Sequence, residues 1–153
     1  MIYETISSLH NGLVKKVAQL TTSKSFRDKE KLTVVEGKNL LTDLLKVKPA
    51  SMLFVTEENL REAGACDRLF LVTKEVMKKM TSVEAPEGML ALFPILTSAL
   101  EKIESPLLIL DGLQDPGNVG TLLRTASAFH VSHCVAIEPC CDLWHPKVMR
   151  SAK

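Results

Sequence analysis

The chain has 153 residues, 46% of them hydrophobic and 24% charged, with a formal net charge of +1 at pH 7. This is enough for one ordinary globular domain or two very small ones, with a core that needs no covalent staples. The near-neutral charge excludes a whole-chain polycation, so any nucleic-acid binding must come from a local patch.

Residues 6–20 carry Ile6, Leu9, Leu13, Val14, Val17 and Leu20 at helical spacing, which predicts an amphipathic helix with Lys15 and Lys16 on its polar side. The next stretch, TTSKSFRDKEK at 21–31, is polar and reads as a loop. It holds Lys24, Arg27, Lys29 and Lys31 against Asp28 and Glu30. Besides a plain solvated loop, it reads as a phosphate-contacting arm, because Lys and Arg on such a segment can follow a nucleic-acid backbone.

From Leu32 the chain alternates. Leu32–Val35 predicts a buried strand, Lys38–Val47 a helix stopped by Pro49, and Ser51–Val55 a second strand. Thr56 is a good N-cap for a helix over 57–63, and Gly64 suits its end. Leu69–Val72 is strand-like, Thr73 caps a helix to about Met80, and Met89–Phe93 is a fourth strand. Met77, Met80 and Met89 read as core filler. The alternation argues a small α/β domain over residues 1–95, and the weakly patterned stretch 96–105 a linker.

A second unit over 106–153 opens with a strand at Leu107–Leu110. A turn at 111–118 follows, then a helix at 119–130 and a parallel strand at 133–137. Pro146 suits a first helical position, and Lys147 to Arg150 begin a further helix. One βαβ unit cannot cover both faces of its sheet, so this segment reads as the first part of a larger parallel-sheet domain.

The turn at 111–118 and the start of its helix hold Gly112, Gly117 and Gly120, three of the chain's seven glycines. A Walker loop fails there, because Asn118 and Val119 stand where Lys and Ser/Thr are required. The dinucleotide fingerprint fails because Asp115 occupies the first glycine position. A helix N-terminus able to face an anion survives both tests. At about 100° per residue, Val119, Leu122, Leu123, Ala126 and Phe129 share one stripe. Arg124 lies off that stripe, with Gly120, Ser127 and Ala128 as its helical neighbours. An arginine ringed by small residues marks a surface that can be approached closely; the plain alternative is an ordinary exposed arginine.

The segment D-G-L-Q-D-P-G-N-V-G-T-L-L-R-T-A at 111–126 resembles the first motif of the SpoU/TrmH family, S-adenosylmethionine-dependent RNA ribose 2′-O-methyltransferases of the SPOUT class. Asp111, Asp115, Pro116, Asn118, Gly120, Arg124, Thr125 and Ala126 carry the match. Pro146–Ala152 is similar to the P-K-x-x-R-A-S segment that follows it, with Ser151 one place early. Ser8, Asn11, Lys15, Leu20, Arg27, V-V-E-G at 34–37 and P-E-G-M-L-A at 86–91 resemble the family's N-terminal RNA substrate-binding domain.

The resemblance implies methylation of a ribose 2′-hydroxyl in rRNA or tRNA, with Arg124 serving the hydroxyl and Asn118 capping the helix and fixing the site's geometry. Lys24, Arg27, Lys29, Lys31 and Arg150 are the expected RNA contacts. It implies S-adenosylmethionine as donor, held in a trefoil knot built from motifs expected beyond Lys153, and a homodimer formed through that knot. A piece ending at Lys153 is therefore expected neither to bind the donor nor to catalyse alone. The alternative is an RNA-binding module without catalysis.

Other residue groups point to less. His130, His133, Cys134, Cys140, Cys141 and His145 are close in sequence, but no C-x2-C pair exists and no metal site is expected. Cys140 and Cys141 have no nearby basic group to make either a nucleophile. Trp144 reads as packing rather than a stacking platform. The four cysteines show no disulfide framework, which suits an intracellular chain in cytoplasm or an organelle matrix. No apolar run approaches the roughly 20 residues of a membrane span, and the N-terminus does not read as a secretory signal.

Overall fold

The computed structural model of the chain describes residues 3–96 and 106–153. It divides into two compact units between Ile95 and Leu96. The linker expected at 96–105 lies, from residue 97 on, outside the described residues.

The first unit is a five-stranded mixed sheet with helices on both faces. Its strands are β1 (Glu4–Ile6), β2 (Leu32–Glu36), β3 (Ala50–Val55), β4 (Cys66–Val72) and β5 (Met89–Pro94), in the order β1-β4-β3-β5-β2. β1, β4 and β3 run parallel, and β5 is antiparallel to both β3 and β2. The core follows the two-residue period of the strands. Val34, Phe54, Phe70, Val72, Leu90 and Leu92 pack with α1 (Gly12–Thr22) and α4 (Lys74–Met80) through Val14, Val17, Leu20, Val76, Met77 and Met80. Val35 and Ala91, of opposite parity, are also buried, and α3 (Lys38–Val47) packs against their strands, β2 and β5. Met77, Met80 and Met89 are core residues.

Several local expectations are corrected here. The first helix does not begin at Ile6. That residue closes β1, paired with Val72, and α1 begins at Gly12, where the Asn11 side chain accepts from Leu13 N–H at 2.8 Å. The polar stretch 21–31 is not a loop but carries α2 (Lys24–Glu30), capped by Ser23 and ended by Lys31 in the left-handed region at φ 54°. A seven-residue helix has too few turns to show an apolar period, so only its cap marked it. Residues Glu57–Glu62 form a 3₁₀ helix rather than an α-helix, and Thr56 makes no side-chain capping bond.

The second unit pairs β6 (Leu107–Asp111) with β7 (His133–Ile137) in parallel, from Leu107↔His133 to Asp111↔Ile137. Between them runs α5 (Pro116–Ala128), and α6 (Pro146–Ser151) follows. Leu110, Val119 and Val148 are fully buried, with Leu108, Leu113, Leu123, Cys134, Ala136, Cys140 and Cys141 around them. Residues of the other strand parity are open, with Ile109 56% and Ile137 47% exposed. The expected apolar stripe of α5 is also only partly covered: Val119 is buried, while Phe129 is 76% exposed. Among the described residues of this unit, two strands and two helices supply no layer for the second face.

Candidate active-site wall and RNA-contacting surfaces

The motif at 111–126 leaves β6 at Asp111, turns at Gly112 in the left-handed region (φ 64°), and enters α5 at Pro116. A proline at the first helical position has no N–H to leave unpaired, and its fixed φ suits the helix. The cap corrects the sequence reading: Asp115, not Asn118, is the N-cap. Its Oδ1 accepts from Asn118 N–H at 2.8 Å, so the motif asparagine is donor to the cap. The Asn118 N–H bond, and after it Lys147, whose Nζ stands 3.7 Å from Oδ2, hold the Asp115 carboxyl below its usual pKa.

Two further bonds tie this loop to the segment after β7. Cys141 N–H donates to Leu113 O at 2.8 Å, and Gln114 Nε2 donates to Pro139 O at 2.8 Å. Gly120 makes the contact between α5 and α6. A Cβ there would stand 2.4 Å from Ser151 Cβ and 2.6 Å from Val148 O.

Arg124 is exposed on α5, two turns on from the cap. Of its small neighbours, Ser127 and Ala128 are exposed, while Gly120 lies beneath α6. The hydroxyls beside it turn back on the helix, Thr121 to Gly117 O and Thr125 to Thr121 O, both at 2.9 Å. Among the described residues none engages the Arg124 guanidinium. This face therefore offers an exposed cation beside the small side chains of Ser127 and Ala128. Arg150, on α6, is half-buried, and burial lowers its pKa from the usual arginine value.

A sulfonium donor with an adenine ring calls for inward-facing acceptors around an apolar slot. The acceptors of this loop are already engaged: Leu113 O, Pro139 O and Asp115 serve Cys141, Gln114, Asn118 and Lys147. Among the described residues of this loop these acceptors serve the fold itself and do not make up a donor site.

In the first unit the expected RNA contacts separate. Lys24, Lys29 and Lys31 are exposed. Arg27 is 1% exposed, and its Nη1 donates to Leu20 O at 2.6 Å and to Thr21 O at 3.4 Å. It ties α2 to the end of α1 and is withdrawn as a surface contact. A cation one turn from a helix end binds carbonyls that no helical N–H satisfies.

The sequence reading missed two clefts in this unit. One of about 360 Å³ is lined by residues including Thr56, Glu58, Lys74, Lys78 and Glu87. Another of about 400 Å³ adds Thr5, Glu57 and Thr73. Both lie beyond the carboxyl ends of parallel strands, where open α/β sheets take ligands. The Lys74–Glu58 pair, at 2.5 Å, spans their shared wall and raises the lysine pKa. The signal was the Thr that follows each strand, read only as a cap. The V-V-E-G and P-E-G segments also meet: Gly37 N–H donates to Met89 O at 3.2 Å, and Lys38 N–H to Glu87 Oε2 at 2.6 Å.

Residues 11–91 match the MRM3-like substrate binding domain, and residues 105–153 match the SpoU rRNA Methylase family. The chain belongs to the family defined by the MRM3-like substrate binding domain, and its last third matches the SpoU rRNA Methylase family. It is 34% identical to rRNA methyltransferase 3A, mitochondrial, of Danio rerio, over 90% of this chain and 35% of that protein. It is 29% identical to the 23S rRNA (guanosine(2553)-2′-O)-methyltransferase RlmP of Bacillus subtilis, over 97% of this chain and 60% of that one. The crystal structure of the AdoMet-bound rRNA methyltransferase from Sinorhizobium meliloti superposes with a TM-score of 0.82 at 24% identity, covering 98% of this chain and 60% of that one. The chain thus spans between about a third and three fifths of the relatives it matches. The α/β architecture of the SpoU fold accords with the fold class expected from the sequence.

Among the described residues no helix is long and apolar enough to cross a membrane.

Proposed function

We propose that the protein methylates a ribose 2′-hydroxyl of rRNA, with tRNA the alternative acceptor, as a homodimer in the cytoplasm or an organelle matrix. The observation that carries this reading is the exposed Arg124 on the capped motif helix, in a chain whose last third matches the SpoU family. In this reaction S-adenosylmethionine would supply an electrophilic methyl group, its S–CH3 bond breaking to leave a neutral thioether while the hydroxyl proton passes to solvent. The acceptor hydroxyl is a poor nucleophile at neutral pH, and its oxygen gains negative charge as its proton leaves. The Arg124 guanidinium positions that oxygen and stabilises the charge rather than taking the proton. Asn118 keeps its part in the geometry through its backbone bond to Asp115, and its side chain is exposed. Lys24, Lys29 and Lys31 contact RNA phosphates, and Arg150 supports the RNA side of the second unit.

The test gives the protein, completed with the donor site that these residues do not form, methyl-labelled donor and rRNA or tRNA transcripts, then locates label by nuclease digestion. Label on a ribose 2′-oxygen is expected. Arg124→Ala should lower the rate at least about 100-fold, as loss of one charge-stabilising donor does, while RNA affinity stays within about threefold. RNA binding without any label would leave the non-catalytic RNA-binding reading. Label on a base would overturn the acceptor assignment.

A further inference from the structure

We propose that Lys147 is a positioning residue for the methyl transfer, acting through Asp115 on the motif helix; the inference rests on the function proposed above. The backbone of Lys147 is held on both sides. Pro146 and Val148 are buried, and His145 Nδ1 accepts from Lys147 N–H at 3.1 Å to cap α6. The Gly120 contact seats α6 on α5 one residue farther on, against Val148 O. From that anchored position the Lys147 side chain reaches over the first turn of α5. A Cβ at Gly117 would come within 3.8 Å of Lys147 Cε and 3.0 Å of Asp115 Oδ1, so the glycine leaves room for both. The ammonium then faces Asp115 Oδ2 while Oδ1 caps Asn118.

An ion pair with both side chains 51% exposed contributes little to stability. Its consequence is geometric. Asp115 sets the entry of α5, the same helix carries Arg124 two turns later, and a small misplacement of a reacting group is costly in rate. Nothing in this arrangement requires Lys147 to touch RNA.

The experiment compares Lys147→Met, Lys147→Arg, Asp115→Asn and the double variant Asp115→Asn/Lys147→Met in the methyl-transfer assay. Asn still caps a helix, so Asp115→Asn removes the charge and keeps the cap. Lys147→Met should lower kcat about tenfold with KM for RNA within about twofold, the pattern of a lost transition-state alignment. Lys147→Arg should stay within about threefold of wild type by restoring the cation. The double variant should be no slower than the slower single variant, as for residues acting on one path. Unchanged kcat in Lys147→Met, failure of the Arg rescue, multiplying losses, or a change confined to KM would each overturn the proposal. If wild type transfers methyl and all variants match it, this inference alone fails. If wild type transfers none, the proposed function fails and this inference with it.

Discussion

Arg27 and Lys29 lie two positions apart on α2 and have unlike surroundings. Arg27 is buried on the carbonyls that end α1, whereas Lys29 is exposed. Arg27→Ala should cost about 3 kcal/mol in urea unfolding, because buried carbonyls lose a charged donor. Its direct effect on the salt dependence of RNA binding should be nil. Lys29→Ala should change stability by less than about 0.5 kcal/mol. It should reduce the log–log salt slope of RNA binding by roughly 0.7–0.9, the loss of one phosphate contact. Equal slopes for wild type and Lys29→Ala would remove this surface from the RNA path. At Asp115 the folded carboxyl is held below its unfolded pKa, first by Asn118 N–H and then by Lys147. Its contribution to the first turn of α5 is present above the unfolded value and is lost as pH falls through the folded one. Acidification below about pH 4 should therefore speed amide exchange at Asn118, and Asp115→Asn should flatten that dependence. An unchanged acid profile in the variant would assign the effect to other carboxylates.

At the scale of elements, α5 and α6 depend on a missing side chain. Gly120→Ala places a methyl against Val148 O and Ser151 Cβ, and backbone cannot yield as a flexible side chain does. The substitution should destabilise the second unit by about 3 kcal/mol, the upper range of overpacking, and separate α6 from α5. Chemical denaturation followed at Trp144, which precedes α6, reads this directly; a midpoint equal to wild type would mean the helices are not held at Gly120. The elements also differ in how far local sequence exposes them. α3 and β2 show at their own spacing, because Leu41 and Leu45 recur a turn apart and LTVV is apolar or β-branched at every position. α2 and β1 do not. A seven-residue polar helix and a three-residue edge strand carry too few residues for either period to show. β1 exists because β4 pairs with it, and β4 is contributed by a segment far along the chain.

For the molecule as a whole, the alternation of strand and helix through residues 32–93, the βαβ order after 106 and the motif at 111–126 follow from the sequence alone. Each is set by neighbours within one turn, one strand or one loop, so spacing, caps and breakers suffice. Arg124 could be placed on a face for the same reason: helical periodicity is local. Only the tertiary structure decided which polar groups face water. Arg27 and Lys29 are equivalent cations until α1 and α2 pack. Asp115 and Asn118 are equally good caps until Pro116 and the loop fix where the helix begins. The clefts beyond β3 and β4 draw on separate segments of the chain, and the meetings of Gly37 with Met89 and of Lys38 with Glu87 join residues roughly fifty apart. Such contacts depend on closing long loops and on strand order, and no local pattern encodes either.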